Sequence, residues 1–275
     1  MARRLINRRL GRLGLVTLGL APFLLLLAIY AGGSAARRAD NADDKLLPGG
    51  AAFVAAIQRM AVDPDTRTGQ VLLWADTAAS LRRLGIGLLV ATVLGLIVGV
   101  ATGLIPYVRA GLSPLVAVAS MVPPMALLPI LFIVFGLGEL SKVVLIVIGI
   151  SPFLMRDLAL RIEELPSEQL IKAQTLGLSS WQIVTRVVVP QMLPRLLDGV
   201  RLSLGPAWLF LISAEAIAAE EGLGYRIFLV RRYLAMDVIL PYVAWITTLA
   251  FVMDLGLRVV NRRAFPWLYI GRGEA

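Results

Sequence analysis

An all-α chain that crosses a membrane about six times is the architecture this 275-residue sequence predicts, and three observations point to it. Hydrophobic residues make up 58% of the chain, charged residues only 16%, and the mean hydropathy is +0.81, whereas a soluble domain carries about 25% charged residues. Six apolar runs recur along its length, all but the fourth close to the roughly 20 helical residues that cross a hydrocarbon core about 30 Å thick. Neither Cys nor His occurs. That excludes thiolate nucleophiles, His-based acid–base catalysis and zinc, haem or iron–sulfur ligation, so no cofactor is expected. The net charge of +9 rests on Arg far more than Lys. In a membrane chain this excess marks topology and contact with anionic lipid, not nucleic-acid binding.

The first span, residues 13–31, contains Pro22 and follows the stretch MARRLINRRLGRL, which holds five Arg and no acid. The positive-inside rule then places the N-terminus in the cytoplasm. A cleaved signal peptide begins in the same way, but this apolar run exceeds the usual 7–15 residues and more spans follow. Residues 35–76 are too polar to cross, with six Asp among Arg, Pro and Gly. They read as an external loop with an amphipathic helix near 51–60 on the surface. The second span, 84–104, carries Gly95, Gly99 and Gly103, a small-xxx-small repeat that lets another helix approach closely. The third, 112–135, contains Pro123, Pro124 and Pro129. Each removes a backbone donor, so a straight helix is not expected. Broken helices are tolerated where they face protein or a water-filled cavity, which makes Pro123 and Pro124 candidates for lining a pathway as well as for a kinked packing helix.

Residues 143–155 form a short fourth span that reaches full length only with Leu140 and its flanks. Glu139 and Lys142 just before it read as a solvated helix start. The fifth span is 199–219 and the sixth 238–260. Six spans put both termini inside. The inside segments then hold 15 Lys and Arg against 11 outside, with the pair Arg82–Arg83 on the outer side. Ionisable groups within spans are functional candidates, here Arg201, Glu215 and Asp254. Glu215 with Glu220 and Glu221 suits contact with a cationic or amine-bearing solute. For each of the three, an ion pair with another helix, or packing, is the preferred explanation.

The stretch between the fourth and fifth spans, about 158–197, is too polar to cross and too apolar for a flexible linker. Pro166–Ser167–Glu168 reads as a helix start and Gly177 as its left-handed stop. Ser179 with Gln182 forms a capping box that opens a second helix, WQIVTRVVV, which Pro190 interrupts. Two short helices therefore meet at a tight bend. Leu176 and Trp181 bury apolar surface there only against something else, either the bilayer surface or a cytoplasmic partner protein.

At this stretch the sequence resembles the inner-membrane permease subunits of ABC importers, in the branch associated with sulfonates, taurine and nitrate. Their signature is Glu-Ala-Ala, three residues, Gly, nine residues, then Ile-x-Leu-Pro. Aligned on Gly177, Ala173, Gly177 and Pro190 match, Val187 and Val189 are conservative, and Ile171 and Lys172 depart. Residues 123–142 (PPMALLPILFIVFGLGELSK) resemble the family's third span and following turn. Residues 197–227 resemble its fifth span and loop. The likeness covers about 77–260.

The resemblance implies a transmembrane domain over 77–260, preceded by an N-terminal segment, span and external loop (1–76) and followed by a cytoplasmic tail (261–275). It implies a bacterial inner-membrane protein and a path for a small solute: a sulfonate, taurine, nitrate or another small nitrogen compound. The implied partners are a cytoplasmic ATPase docked on Ala173, Leu176, Gly177, Ser179, Trp181 and Pro190, a periplasmic or lipid-anchored binding protein, and a second or sister permease. No phosphate-binding G-x-x-x-x-G-K-[ST] loop occurs, so ATP hydrolysis is expected on another chain. An ion-coupled secondary transporter is the competing reading, but it calls for paired broken helices in two repeats and only one is legible here. An intramembrane enzyme using Glu215 and Asp254 would need two carboxylates that the spans place at opposite ends.

Overall fold

A computed structural model describes residues 11–41, 44–66 and 68–268. The Arg-rich start through residue 10 and the tail from 269 lie outside the described residues. The described chain is helical throughout: α1 (Arg12–Asp40), α2 (Gly50–Ala61), α3 (Leu72–Leu104), α4 (Pro106–Ala119), α5 (Leu128–Phe135), α6 (Glu139–Glu163), α7 (Ser167–Thr175), α8 (Ser180–Ile183), α9 (Val189–Ala218), α10 (Leu223–Arg231) and α11 (Met236–Ala264). Among the described residues, five helical stretches are long and apolar enough to cross a membrane. A further pair, α4 and the segment through α5, is long and apolar enough only when taken together and is bent by 82°, the shape of a broken span or a re-entrant loop. The bend falls where Pro123 and Pro124 stand, with Pro124 opening a 3₁₀ turn (Pro124–Leu127) that leads into α5. Two successive residues without N–H groups cannot continue the α4 ladder.

The fourth span reaches full length. α6 has 25 residues, about 37 Å at the usual helical rise. The second span begins earlier than the apolar pattern suggests. Residues 72–83, expected in a loop or at its edge, form the first three turns of α3, so the expected boundary at 76–77 falls inside a helix. Hydropathy misses these turns because Asp76, Ser80 and Arg83 are polar, yet all three are buried.

The centre of the molecule is the α3–α6 pair, with α9 packed against both and α10 and α11 against α9. The glycine stripe of α3 makes the pairing close. A Cβ added at Gly95, Gly99 or Gly103 would lie 2.7, 2.9 or 2.8 Å from the Cβ of Leu154, Leu158 or Ile162. Gly87 meets Ile146 in the same way one end further along, and Ala91 between them is fully buried. Replacing Gly99 with isoleucine is therefore expected to lower stability by about 1–3 kcal/mol through overpacking. Gly256→Ile, at a site with nothing within 4 Å of an added Cβ, is the control. Thermal unfolding of the two variants in detergent checks this.

Two ends of the bundle can be named from the chain. At the knob end lie α7, α8 and the C-termini of α3, α6 and α11; there Arg109 donates to the Thr102 and Gly103 carbonyls and pairs with Glu163. At the far end lie α2, α10 and the N-termini of α3, α6 and α11. The apolar stretch of α1 touches none of this core: no residue of it is buried. Only its far-end turns are tied down, where Tyr30 and Ser34 donate to the carbonyls of Pro48 and Leu47. α2 forms where an amphipathic helix is expected and packs against α3 and α11.

Candidate functional site

The segment between α6 and α9 folds into a compact knob. α7 ends at Thr175 with Leu176 as its cap, and Gly177 follows with φ of +80°, a conformation that glycine adopts without a Cβ clash. The Gly177 N–H reaches the Gln174 carbonyl (2.9 Å) and the Leu178 N–H reaches that of Ala173 (3.2 Å), so both bonds of a Schellman stop are made. Two residues later the capping box is complete. The Ser179 N–H donates to Gln182 Oε1 (2.9 Å), and the Gln182 N–H donates to Ser179 Oγ (3.4 Å). Each helix end is thus closed by its own sequence, which fixes the angle of the bend without help from the rest of the chain.

The inner side of the knob joins the core through buried Ala173 and Ile183 and half-buried Leu170 and Leu178. The other side leaves Ile171, Leu176 and Trp181 bare, at 56, 72 and 74% exposure. Three large apolar side chains held outward on a rigid, polar loop form a surface suited to contact. Pro190 does not interrupt the second helix as the sequence suggests. A π-helical turn (Val184–Val188) carries α8 into α9, with the Val189 N–H reaching back to the Val184 carbonyl. Pro190 then sits in the first turn of α9, where its missing donor breaks no α-helical bond.

The expected pathway residues separate. Pro123 stands exposed at the break between α4 and the 3₁₀ turn, beside exposed Met121 and Val122. Glu215 does not face open space: it is fully buried at the far end. Its carboxylate accepts from Arg83 Nη1 (2.7 Å), the Ser80 hydroxyl (2.8 Å) and the Gly224 N–H (2.9 Å). Arg83, 1% exposed, also grips Glu139 with two bonds (2.6 and 2.8 Å) and donates to the Glu221 carbonyl (2.9 Å). One guanidinium thus fastens α3 to α6, α9 and the turn before α10. An Arg fork saturated in this way is what a buried carboxylate requires. Of the acidic set Glu215, Glu220 and Glu221 that the sequence offers to a solute, Glu215 is taken up by this pairing.

Glu139 and Lys142 are not simply a solvated helix start. Glu139 is half-exposed and tied to Arg83, while Lys142 is 2% exposed and donates to the Leu137 and Gly138 carbonyls and to Glu139. Next to them Asp76, fully buried, accepts from the Gly222 N–H, Arg226 and the Tyr242 hydroxyl. Gly222 (φ +125°) and Gly224 lie so close to Glu215 and the Ile212 carbonyl that a Cβ at either would come within 2.6 Å. The short GLG turn is what lets backbone N–H groups descend onto the two carboxylates. Sequence reasoning offers an ion pair for Glu215 but not Arg83 as its partner, since the two are 132 residues apart, and it misses Asp76 altogether.

The remaining intramembrane charges pair with each other. Arg201 donates to Asp254 (3.0 Å) and to Asp198 (2.9 Å), and Arg258 donates to Asp254 (3.0 Å). Asn261 donates to Asp198 and to the Pro194 carbonyl. Glu215 and Asp254 stand in separate networks, at the far end and towards the knob end, so they form no catalytic pair.

Residues 91–266 match the family described as binding-protein-dependent transport system inner membrane component. The taurine transport system permease protein TauC of Escherichia coli (strain K12) is 42% identical over 196 residues, covering 71% of each chain. The nitrate import permease protein NrtB of Synechococcus elongatus is 33% identical over 149 residues, 54% of this chain and 53% of that one. In structure the chain is similar to a subunit of the MetNI methionine ABC transporter. The TM-score is 0.63 at 21% identity, over 72% of this chain and 99% of that one. With a matched region that takes in the α4–α5 break, the knob and the network of Asp198, Arg201 and Asp254, the chain belongs to the binding-protein-dependent inner-membrane component family: it is a permease subunit of an ABC importer, not its ATPase.

Proposed function

We propose that the α7–α8 knob is the surface on which a cytoplasmic ATPase subunit docks, and that both termini share its side of the membrane. The observation that carries this reading is the outward set Ile171, Leu176 and Trp181 on a bend closed by a Schellman stop and a capping box. Ala173 anchors the knob from beneath, Gly177 sets its angle and Ser179 opens its second helix. The π turn and Pro190 join it to α9, so movement of the knob reaches a 30-residue helix directly. Such coupling needs a stiff lever, not a reactive side chain. The ATPase then supplies the free energy, a solute-binding protein delivers the solute on the far side, and a second or sister permease completes the path. Within that assembly residues 77–260 are the translocating domain, and 1–76 and 261–275 flank it. Pro123 and Pro124 place an irregular backbone against the path, where water satisfies it. Glu215 acts as a structural anchor held by Arg83.

The solute is a small sulfonate of the taurine type. The 42% identity to TauC supports this reading, as does 30% identity over 146 residues to the aliphatic sulfonates permease SsuC of E. coli. Uptake of labelled taurine by membranes carrying the chain with its ATPase and binding protein tests it. Uptake that requires ATP and is competed by alkanesulfonates is expected. Competition by nitrate alone would transfer the assignment to the nitrate branch.

A further inference from the structure

The two charge networks differ in one respect that the permease role leaves unexplained. At the far end the central pair is closed off, with Arg83 and Glu215 at 2 and 0% side-chain exposure, and only Glu139 and Glu221 at its rim stay half-exposed. The network of Asp198, Arg201, Asp254 and Arg258 stays partly open, at 39, 20, 30 and 48%. Yet it lies within the spans. From Asp254 to the end of the apolar span at residue 260 is six residues, on the order of 9 Å of helix. Ionised groups turned toward lipid at that depth cost several kcal/mol each, so such groups face protein or water.

Three features of the same groove favour water. Asn261 is fully buried, and its Oδ1 has no hydrogen-bond partner. A buried amide oxygen left empty costs about 1–3 kcal/mol, and a water beside Asp198 satisfies it. Pro206, lacking an N–H, offers no donor to the carbonyl of Leu202, which adjoins Arg201. Gly205, one turn further from the knob than Arg201, has nothing within 4 Å of an added Cβ, so open space continues along this face.

We propose that the groove between the knob-end halves of α9 and α11 is a hydrated wall of the solute path, and that Asp198, Arg201, Asp254 and Arg258 are its polar lining. Two carboxylates and two guanidiniums alternate with no net charge, so the wall repels neither sign and suits a small zwitterion that meets an opposite charge at each end. The inference rests on the permease reading but not on where the ATPase docks.

The absence of Cys makes the test direct. Single variants Asp198→Cys, Gly205→Cys and Val252→Cys are assembled with the ATPase and binding protein in vesicles whose knob end faces out. Each is treated with a charged, membrane-impermeant methanethiosulfonate. Val252, two residues from Asp254, points to the other side of α11 and is 56% exposed. The Asp198 and Gly205 variants are expected to react at least tenfold faster than the Val252 variant, and labelling of Gly205→Cys is expected to block ATP-driven uptake. Gly205→Cys keeps every charge in place, so its result stands even if Asp198→Cys fails to fold. Reaction no faster than at Val252, or labelling of Gly205→Cys without loss of uptake, overturns the proposal. ATP-driven uptake by the unlabelled chain, measured alongside, decides the permease reading separately.

Discussion

Gly177→Arg is expected to abolish ATP-driven uptake while leaving membrane insertion intact. The left-handed backbone at this residue costs an L-amino acid roughly 1–2 kcal/mol, so the Schellman stop opens or strains. The Gly177 and Leu178 N–H bonds to Gln174 and Ala173 fix the angle at which Leu176 and Trp181 are held out. A charged side chain at the bend also occupies the surface on which the partner would rest. Trp181→Ala isolates the contact from the backbone, since Trp181 is 74% exposed. Truncating an aromatic anchor of an interface costs at least about 2 kcal/mol, roughly thirtyfold in affinity. Measured together, the two variants separate a bend that must keep its shape from a side chain that must be present. Normal uptake by both would contradict docking at the knob.

The second large effect is expected at the far end. Arg83→Gln removes the cation from a carboxylate that has no access to water, and breaking a buried pair in this way destabilises by about 3–5 kcal/mol. The variant should be depleted from the membrane and should aggregate on extraction. Glu139 loses its two bonds in the same step, and the turn before α10 loses the link through the Glu221 carbonyl. The double variant Arg83→Met with Glu215→Leu should recover much of the loss, because a buried pair replaced by apolar groups of similar size is often neutral. Size-exclusion profiles and thermal unfolding in detergent read both. If Arg83→Gln alone were as stable as the natural chain, Glu215 would have to be neutral or solvated, contrary to the buried network described here.

What the sequence discloses and what it hides divide along the range of the interactions. The knob is legible because its signals are local: Pro166 and Gly177 bound one helix, and Ser179 finds its capping partner three residues away in Gln182. The break at Pro123 and Pro124 is legible for the same reason, since a missing N–H needs no distant partner to end a helix. The glycine stripe of α3 announces close approach, though not that α6 is the neighbour. The first turns of α3 are hidden because Asp76, Ser80 and Arg83 look like a loop until α9, α10 and α11 supply their partners. Glu215, Arg201 and Asp254 stand out as charges within spans, but the choice between solute contact and ion pair lies with residues 53 to 132 positions away. The sequence also reads Pro190 as interrupting the second helix, whereas a π turn absorbs the irregularity just before it.

The most direct measurement of the central claim is to isolate the tagged chain from its native membrane in mild detergent, identify what accompanies it and assay ATP hydrolysis. The account predicts a stoichiometric ATPase subunit that hydrolyses ATP in the complex and is lost from the Gly177→Arg and Trp181→Ala variants. A chain that brings down no ATPase, or one that holds its ATPase equally well in both variants, would contradict docking at the α7–α8 knob.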